Sequence, residues 1–229
     1  MSDTFILNLE TSAKDCSIAL GKNGECLGTR KSKGEWKHSR EITLLIEQTI
    51  KDAGLKFDQL SAVAVSSGPG SYTGLRVGTS AAKAMAFALE IPLLAVETLK
   101  LIAAPYHKQA LEEKSIIIPV IDARRDEVYY QLYDAELNAL NNASNLVLKS
   151  DSLEELACKK NIVCGDAAVK AERIMGSTAF SYEDSRPDAY WMCSLSQDRL
   201  DNNYIEDTAY FRPFYLKSPN ITKSKKAPF

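Results

Sequence analysis

The chain holds no C-x-x-C pair, no H-x-x-x-H and no H-E-x-x-H anywhere in its 229 residues. Its cysteines are 5 in number (Cys16, Cys26, Cys158, Cys164, Cys193). An odd count without close pairs argues against a zinc ribbon and a disulfide framework, and fits free thiols in a reducing compartment. The only two histidines, His38 and His107, stand far apart in sequence. Neither has a partner three or four residues away, the spacing that puts two metal ligands on one helix face. An excess of positive charge is also missing: 28 basic residues face 30 acidic ones, for a formal net charge of −2. That balance excludes a broad basic face that grips nucleic acid unaided, though not a nucleic-acid role inside a complex. The first apolar run, "FILNL", lies between Asp3 and Glu10 with no basic segment ahead of it. The longest apolar region, Ala81 to Val96, is interrupted by Lys83, Glu90 and Pro92. Neither a signal peptide nor a membrane span is expected, and the expected location is the cytoplasm.

What is present reads as an ordinary globular chain, 45% hydrophobic and 25% charged. Its length suits one large domain or two lobes of about 100 residues each. "TFILNLETS" reads as a buried strand, and "KNGE" between the next two strand-like runs is a hairpin signal. Ile42, Leu45, Ile46, Thr49, Ile50 and Ala53 fall on one face of a helix, with Ser39 as N-cap and Gly54 past its end. "LSAVAVSS" is a strand, a helix follows from about Tyr72 to Leu89, "IPLLAV" is another strand, and "ETLKLIAAPYHKQALEE" is helical. His107 then sits near a helix end, where the dipole favours a cation. "SIIIPVIDARRDEVYYQLYD" opens a second unit as strand, tight turn and strand. A helix ("DSLEELACKK"), a strand ("NIVCG") and a helix ("AAVKAERIM") follow, and Pro187 marks the first turn of another helix at Arg186 to Trp191. The order β-β-(β)-α-β-α occurs twice, which predicts two related α/β lobes, each a mixed sheet with flanking helices. The expected division is residues 1–110, a smaller lobe at 111–205, and a segment 206–229 that packs back on the first lobe before a disordered lysine-rich end.

The densest glycine cluster is "SSGPGSYTGLRVG", Ser66 to Gly78. A Walker A loop is excluded, because Gly68 and Gly74 stand one residue too far apart and Leu75-Arg76 replace Lys-Ser/Thr. The dinucleotide fingerprint fails as well, since Thr73 occupies the place of its third glycine. Pro69 removes a backbone N–H that a phosphate cradle would use. Two readings stay open: a strained strand-to-helix turn that needs positive φ, or N–H groups at a helix N-terminus facing an anion or a partner. The helix behind the loop, "TSAAKAMAFAL", has Lys83 as its one charge and no polar face. It is therefore either buried within its own chain or covered, together with the helix at 39–53, by another protein.

Together with "NLETSAKDCSIAL", "KHSREI", "LLIEQTIKDAGL", "VETL", "VIDARRDEVYY" and "YFRPFYLKSP", the glycine element resembles the TsaB (YeaZ) family. Those bacterial proteins are needed to make threonylcarbamoyladenosine next to the tRNA anticodon. The resemblance runs through most of the chain in order and thins between Asn138 and Arg212. It implies an actin-like (ASKHA, RNase H-like) fold and a partner rather than a catalyst. The implied partners are the catalytic paralogue TsaD and the ATPase TsaE, with tRNA met only through the complex and a homodimer when the chain is alone. No cofactor of its own is implied, ATP and magnesium belonging to the TsaD and TsaE part. The implied contact runs through the helices matching 39–53 and 72–89, which places His38, Ile42, Leu45, Tyr72, Leu75, Arg76, Thr79, Ala81, Lys83 and Ala84 at an interface.

The nucleotide site of that fold would survive only in degenerate form, at Glu10, Thr11, Ser12, Asp122, Arg124 and Gly165. Ala123-Arg124-Arg125 stand where small residues let backbone approach phosphate, and Asp122 with Arg124 is expected to form an ion pair holding the lobes. Ser66 and Ser67 are loop serines with no histidine placed to activate them. The competing reading is an ATP-dependent enzyme of the same fold, a kinase or carbamoyl transferase, favoured by Glu10 and Asp122 and opposed by Arg124 and Arg125. A peptidase would need metal ligands that the sequence does not supply.

Overall fold

The computed structural model describes residues 3–32, 38–156 and 160–217, with backbone only at 38–40. Two five-stranded sheets organise the chain. The first comprises β1 (Phe5–Glu10), β2 (Ser17–Lys22), β3 (Glu25–Lys31), β4 (Ala62–Gly68) and β5 (Leu93–Glu97), in the order β3-β2-β1-β4-β5. β1, β2 and β3 form an antiparallel meander, while β4 and β5 run parallel to β1. The β2–β3 turn is the expected one: Asn23 and Gly24 both take positive φ, at 51° and 85°. The second sheet comprises β6 (Ile117–Asp122), β7 (Glu127–Tyr130), β8 (Ser144–Val147), β9 (Asn161–Cys164) and β10 (Phe180–Glu183). Its order, β8-β7-β6-β9-β10, and its pattern of parallel and antiparallel pairs repeat the first. This duplicated mixed sheet is the two-lobed actin-like plan.

Helices α1 (His38–Asp52) and α2 (Tyr72–Leu89) pack on one face of the first sheet. Ile42, Leu45, Ile46 and Ile50 of α1, with Ala82 and Ala86 of α2, cover Leu7, Leu9, Ile18, Leu20, Val63 and Val65. Alternate strand residues point the other way, so Ile6, Ala19, Ala62, Ala64, Leu94 and Val96 form the opposite face. That face is covered by α6 (Ala189–Asp201), through Ala189, Met192 and Cys193. In return α3 (Thr98–Ala103), which follows the first sheet in sequence, lays Leu99, Ile102 and Ala103 against Ile117, Ile121, Ile162 and Cys164 of the second. Each lobe thus sends a late helix to pack on the other lobe's sheet, while α5 (Ala168–Met175) covers the second sheet from its own lobe.

Several local expectations need correction. α1 begins at His38, so Ser39 is inside its first turn rather than capping it. Residues 98–113 are broken by a 3-10 turn at Ala104–Tyr106, where Pro105 sits, and His107 opens α4 (His107–Glu113) instead of closing a helix. The described residues of "DSLEELACKK" form a 3-10 turn at Glu154–Leu156 in place of the expected helix, and residues 157–159 lie outside the described set. Pro187 precedes α6; the cap is Asp188, whose side chain accepts the Tyr190 N–H at 3.0 Å. Among the described residues no helix is long and apolar enough to cross a membrane.

Residues 204–217 cross the surface as a strap. The Glu206 N–H donates to the Leu93 carbonyl at 2.8 Å, beside β5. Lys83, the one charge in the alanine-rich half of α2, donates to the Ala209 and Phe211 carbonyls at 2.9 and 3.2 Å. Farther along, the Phe214 N–H reaches the Ser67 carbonyl at 2.7 Å, the Tyr215 ring lies tilted by 42° against Tyr72 with centroids 5.0 Å apart, and Lys217 pairs with Glu127 of the second lobe. The rest of the lysine-rich end lies outside the described residues.

Candidate functional site

The residues singled out in the sequence fall at the C-terminal ends of the central strands β1 and β6, with the loops that follow them, and on the helices α1 and α2. The equivalent strands β1 and β6 each end in an acid, Glu10 and Asp122. Glu10 has no solvent exposure, and Ser12 donates both its N–H and its hydroxyl to Oε1 at 2.5 Å. Oε2 has no partner. Burial pushes the Glu10 carboxyl up to about 7, against the opposing pull of the Ser12 bonds. The folded chain therefore keeps a proton that the unfolded chain releases from 4.5 upward, so this contribution to stability is whole below pH 4.5 and is lost as pH rises through about 7. Glu10→Gln retains an acceptor for Ser12 and removes the ionisation. Its urea-unfolding free energy should lack that decline and exceed the parent's at pH 8 by on the order of 2 kcal/mol. Superimposable pH profiles for the two proteins would mean that the fold leaves the Glu10 carboxyl at its ordinary value.

Asp122 is engaged by its own lobe. Lys170 of α5 donates to Asp122 Oδ1 at 2.9 Å and to the Arg125 and Glu127 carbonyls at 3.0 and 2.7 Å, which uses all three ammonium protons. Burial alone would raise the Asp122 carboxyl, but Lys170 and the Arg124 N–H at 2.7 Å hold it below the ordinary range. The expected Asp122–Arg124 ion pair across the lobes is thus corrected. The ion pair of Asp122 is with Lys170, inside the second lobe, and Arg124 contributes its backbone. Arg124 and Arg125 both adopt left-handed φ, 71° and 48°, and form the tip of the β6–β7 turn. Lys170 was missed because only the fold brings the third residue of α5 against the end of β6; nothing in the local spacing signals it.

The glycine element has a packing role. At Gly74 a Cβ would lie 2.0 Å from the Thr11 carbonyl oxygen, at Gly78 2.1 Å from Thr11 Oγ1, and at Gly70 2.5 Å from the Ser12 carbonyl oxygen. The Ser71 N–H donates to that Ser12 carbonyl at 2.7 Å. Three glycines therefore let the start of α2 lie directly on Thr11 and Ser12, both buried. Positive φ, the sequence expectation for the turn, holds for Gly68 at 105°, where the Phe214 carbonyl of the strap also leaves no room for a side chain. Gly165, at φ 124°, is held against the Val120 carbonyl, 2.1 Å from where its Cβ would stand. Among the described residues no group of three or more His, Cys, Asp or Glu is placed to hold a metal ion.

On the outer face, α2 exposes Tyr72, Thr73, Arg76, Ser80, Ala84, Phe87 and Ala88, a continuous stripe at helical spacing. Arg76 bonds the Tyr72 hydroxyl at 2.8 Å and lies over its ring, beside an open hollow of about 490 Å³ lined by Tyr72, Thr73, Arg76, Val77 and Ser80. Phe87 is 80% exposed, and α1 presents Leu44 at 52%. Phe87 was legible as the next position of the stripe after Ser80 and Ala84, and was passed over because the helix reads as uniformly small. Of the residues expected to face a partner, Ile42, Leu45, Leu75 and Thr79 are buried under the chain's own packing. Ala81 is half-buried against the core, and Lys83 is committed to the strap. Tyr72, Arg76 and Ala84 are open to solvent, and the His38 side chain lies outside the described residues.

Comparison with known proteins agrees with this architecture. The profile of the family described as TsaD, tRNA N6-adenosine threonylcarbamoyltransferase, matches residues 32–198. The chain is 32% identical over 130 residues to the tRNA threonylcarbamoyladenosine biosynthesis protein TsaB of Haemophilus influenzae, covering 57% of this chain and 54% of that protein. It is 31% identical over 173 residues to the tRNA N6-adenosine threonylcarbamoyltransferase of Anoxybacillus flavithermus, covering 60% of this chain and 51% of the other. The matched part thus spans little more than half the length of these curated relatives. YeaZ from Pseudomonas aeruginosa superposes with a TM-score of 0.81 at 25% identity, over 93% of this chain and 100% of that one. With the profile covering most of the sequence and the paired sheets shared with YeaZ from end to end, the chain belongs to the TsaD family.

Proposed function

We propose that this chain is a non-catalytic subunit that binds a TsaD-type transferase and supports formation of threonylcarbamoyladenosine on tRNA. The observation that carries the proposal is the exposed stripe of α2, from Thr73 through Ser80 and Ala84 to Phe87, which carries small and aromatic side chains and a single charge, Arg76. A solvent-facing helix ordinarily shows a charged face, and a helix without one is suited to burial by a partner. The likeness to both a TsaB and a transferase makes a paralogue the natural occupant, pairing like fold with like. The contact residues narrow to Tyr72, Arg76 and Ala84, joined by Thr73, Ser80 and Phe87, with Leu44 of α1 alongside.

The two strand ends support an auxiliary role. Thr11 and Ser12 are covered by α2, and Asp122 is neutralised by Lys170 before any metal ion could use it. ATP and magnesium then belong to the transferase and to a TsaE-type ATPase that joins the pair, and tRNA is met through the assembly. In the absence of the partner a second copy covers the same face. The test is reconstitution with the transferase and the ATPase of the same organism, reading the modified nucleoside from tRNA. Modification should require this chain, and calorimetry of the chain alone with ATP and magnesium should give no micromolar binding. Equal modification without the chain, or micromolar binding by it, overturns the proposal.

A further inference from the structure

β3 is the free edge of the first sheet, and Cys26 sits on it, half-buried. Its partner across the β2–β3 ladder is Gly21. Directly paired residues project to the same face. There the space that a side chain on Gly21 would fill is taken by Cys193 of α6: a Cβ at Gly21 would lie 3.2 Å from Cys193 Cβ and 3.4 Å from its Sγ. Cys26 packs against the apolar cluster that holds Cys193, together with Ile6, Ala19 and Met192. Burial pushes the Cys193 thiol up, and the neighbouring Cys26 adds to the shift. The other described cysteines are not part of this group: Cys16 and Cys164 are buried, with the Cys164 thiol directed at the Ile102 carbonyl.

The opposite positions of an antiparallel pair stand about 4.5–5.5 Å apart at Cβ, and a disulfide needs about 3.5–4.5 Å. Cys193 is seated where a Gly21 side chain would stand, and Cys26 acts directly on its thiol, so the two cysteines are neighbours that a shift of the strand can bring to bonding distance. An edge strand can supply that adjustment, and the β2–β3 register already shifts between Leu20 and Gly21. We propose that Cys26 and Cys193 are an oxidisable dithiol whose disulfide fastens α6, the helix that crosses from the second lobe, to the edge of the first sheet.

The oxidant is a hydroperoxide. The Cys26 thiolate attacks the peroxide oxygen, forming S–O and breaking O–O, and the leaving oxide takes up a proton. Cys193 sulfur then attacks the sulfenic sulfur, forming S–S and breaking S–O, and water leaves with the thiol proton. Two thiols and hydrogen peroxide give one disulfide and two waters. Cys26 acts first because solvent reaches it, while Cys193 resolves from the buried side.

The test is treatment of the full chain with hydrogen peroxide, followed by non-reducing peptide mapping. The expected product is a cross-linked pair of peptides carrying Cys26 and Cys193, two hydrogens lighter than the reduced pair and restored by dithiothreitol. Cys26→Ser, at the accessible position, should remove the cross-link and leave the fold unchanged by circular dichroism. Four outcomes overturn the proposal: Cys26 oxidised to sulfinic acid without a cross-link, a bond from Cys26 to Cys158, a bond between two chains, or no reaction at Cys26. The first, second and fourth appear as different masses in the map, and a bond between two chains appears as a covalent dimer on a non-reducing gel run before digestion.

Discussion

Gly74→Ala should destabilise the chain by on the order of 3 kcal/mol, although alanine is the better helix former. In an exposed helix the same change gains up to about 1 kcal/mol by restricting the unfolded chain. Here the added methyl would stand 2.0 Å from the Thr11 carbonyl oxygen, a backbone atom held in place by the β1–β2 hairpin. Relief requires α2 to lift from β1, and Leu75 and Ala82, both buried, would have to move with it. Two other glycines give the scale. Gly28 has nothing within 4 Å of its missing Cβ and takes no positive φ, so Gly28→Ala should stay within about 0.5 kcal/mol of the parent. Gly54 also has open space but sits at φ 68°, so alanine there should cost about 1 kcal/mol through backbone strain alone. Urea denaturation of the three variants yields the ranking directly. A Gly74 variant as stable as the Gly28 variant would mean that α2 does not press on Thr11.

That prediction depends on the kind of information the glycine element carries. Its exclusion from both nucleotide-loop patterns was legible, because spacing and the identity of Leu75 and Arg76 decide it. Its positive φ was legible in part and holds at Gly68. The close approach at Gly70, Gly74 and Gly78 was not, since the atoms that exclude a side chain belong to Thr11 and Ser12, more than fifty residues earlier. Local periodicity gave α1, α2 and the Asn23-Gly24 hairpin within a residue or two, because one buried face and one turn geometry suffice to define them. It gave the duplicated order of elements for the same reason. What it left out is consistently non-local. α6 shares a core with β1 and β5 rather than with its sequence neighbours, and β8 shows only weak alternation because both its faces are partly exposed. Lys170 belongs with these: an unremarkable helix lysine that becomes the counter-ion of Asp122 once β6 and α5 pack.

The same distinction between local and long-range placement decides where a charge will test the docking face. Ala84→Glu should weaken association with the transferase partner at least 100-fold, about 3 kcal/mol, with the folded chain unchanged. Ala84 is exposed at the middle of the α2 stripe, so glutamate there is solvated in the free chain and should alter stability by no more than about 0.5 kcal/mol. In a complex the carboxylate would be buried against a partner surface with no cation placed for it, and an unpaired charge at the centre of an interface is costly. Ala81 is the wrong position for this test, since it is half-buried against the core and a charge there would disturb the fold itself. Phe87→Ser gives an independent probe of the same stripe by removing its largest exposed apolar side chain, and should cost roughly 2 kcal/mol of binding. Val169→Glu on α5, 60% exposed on the second lobe, is the matching control and should bind as the parent does. Sedimentation or calorimetric titration against the partner separates the cases. Loss of binding by Ala84→Glu and Phe87→Ser alone assigns the contact to α2, whereas equal binding by all four proteins would place the partner elsewhere and leave the stripe to a second copy of this chain.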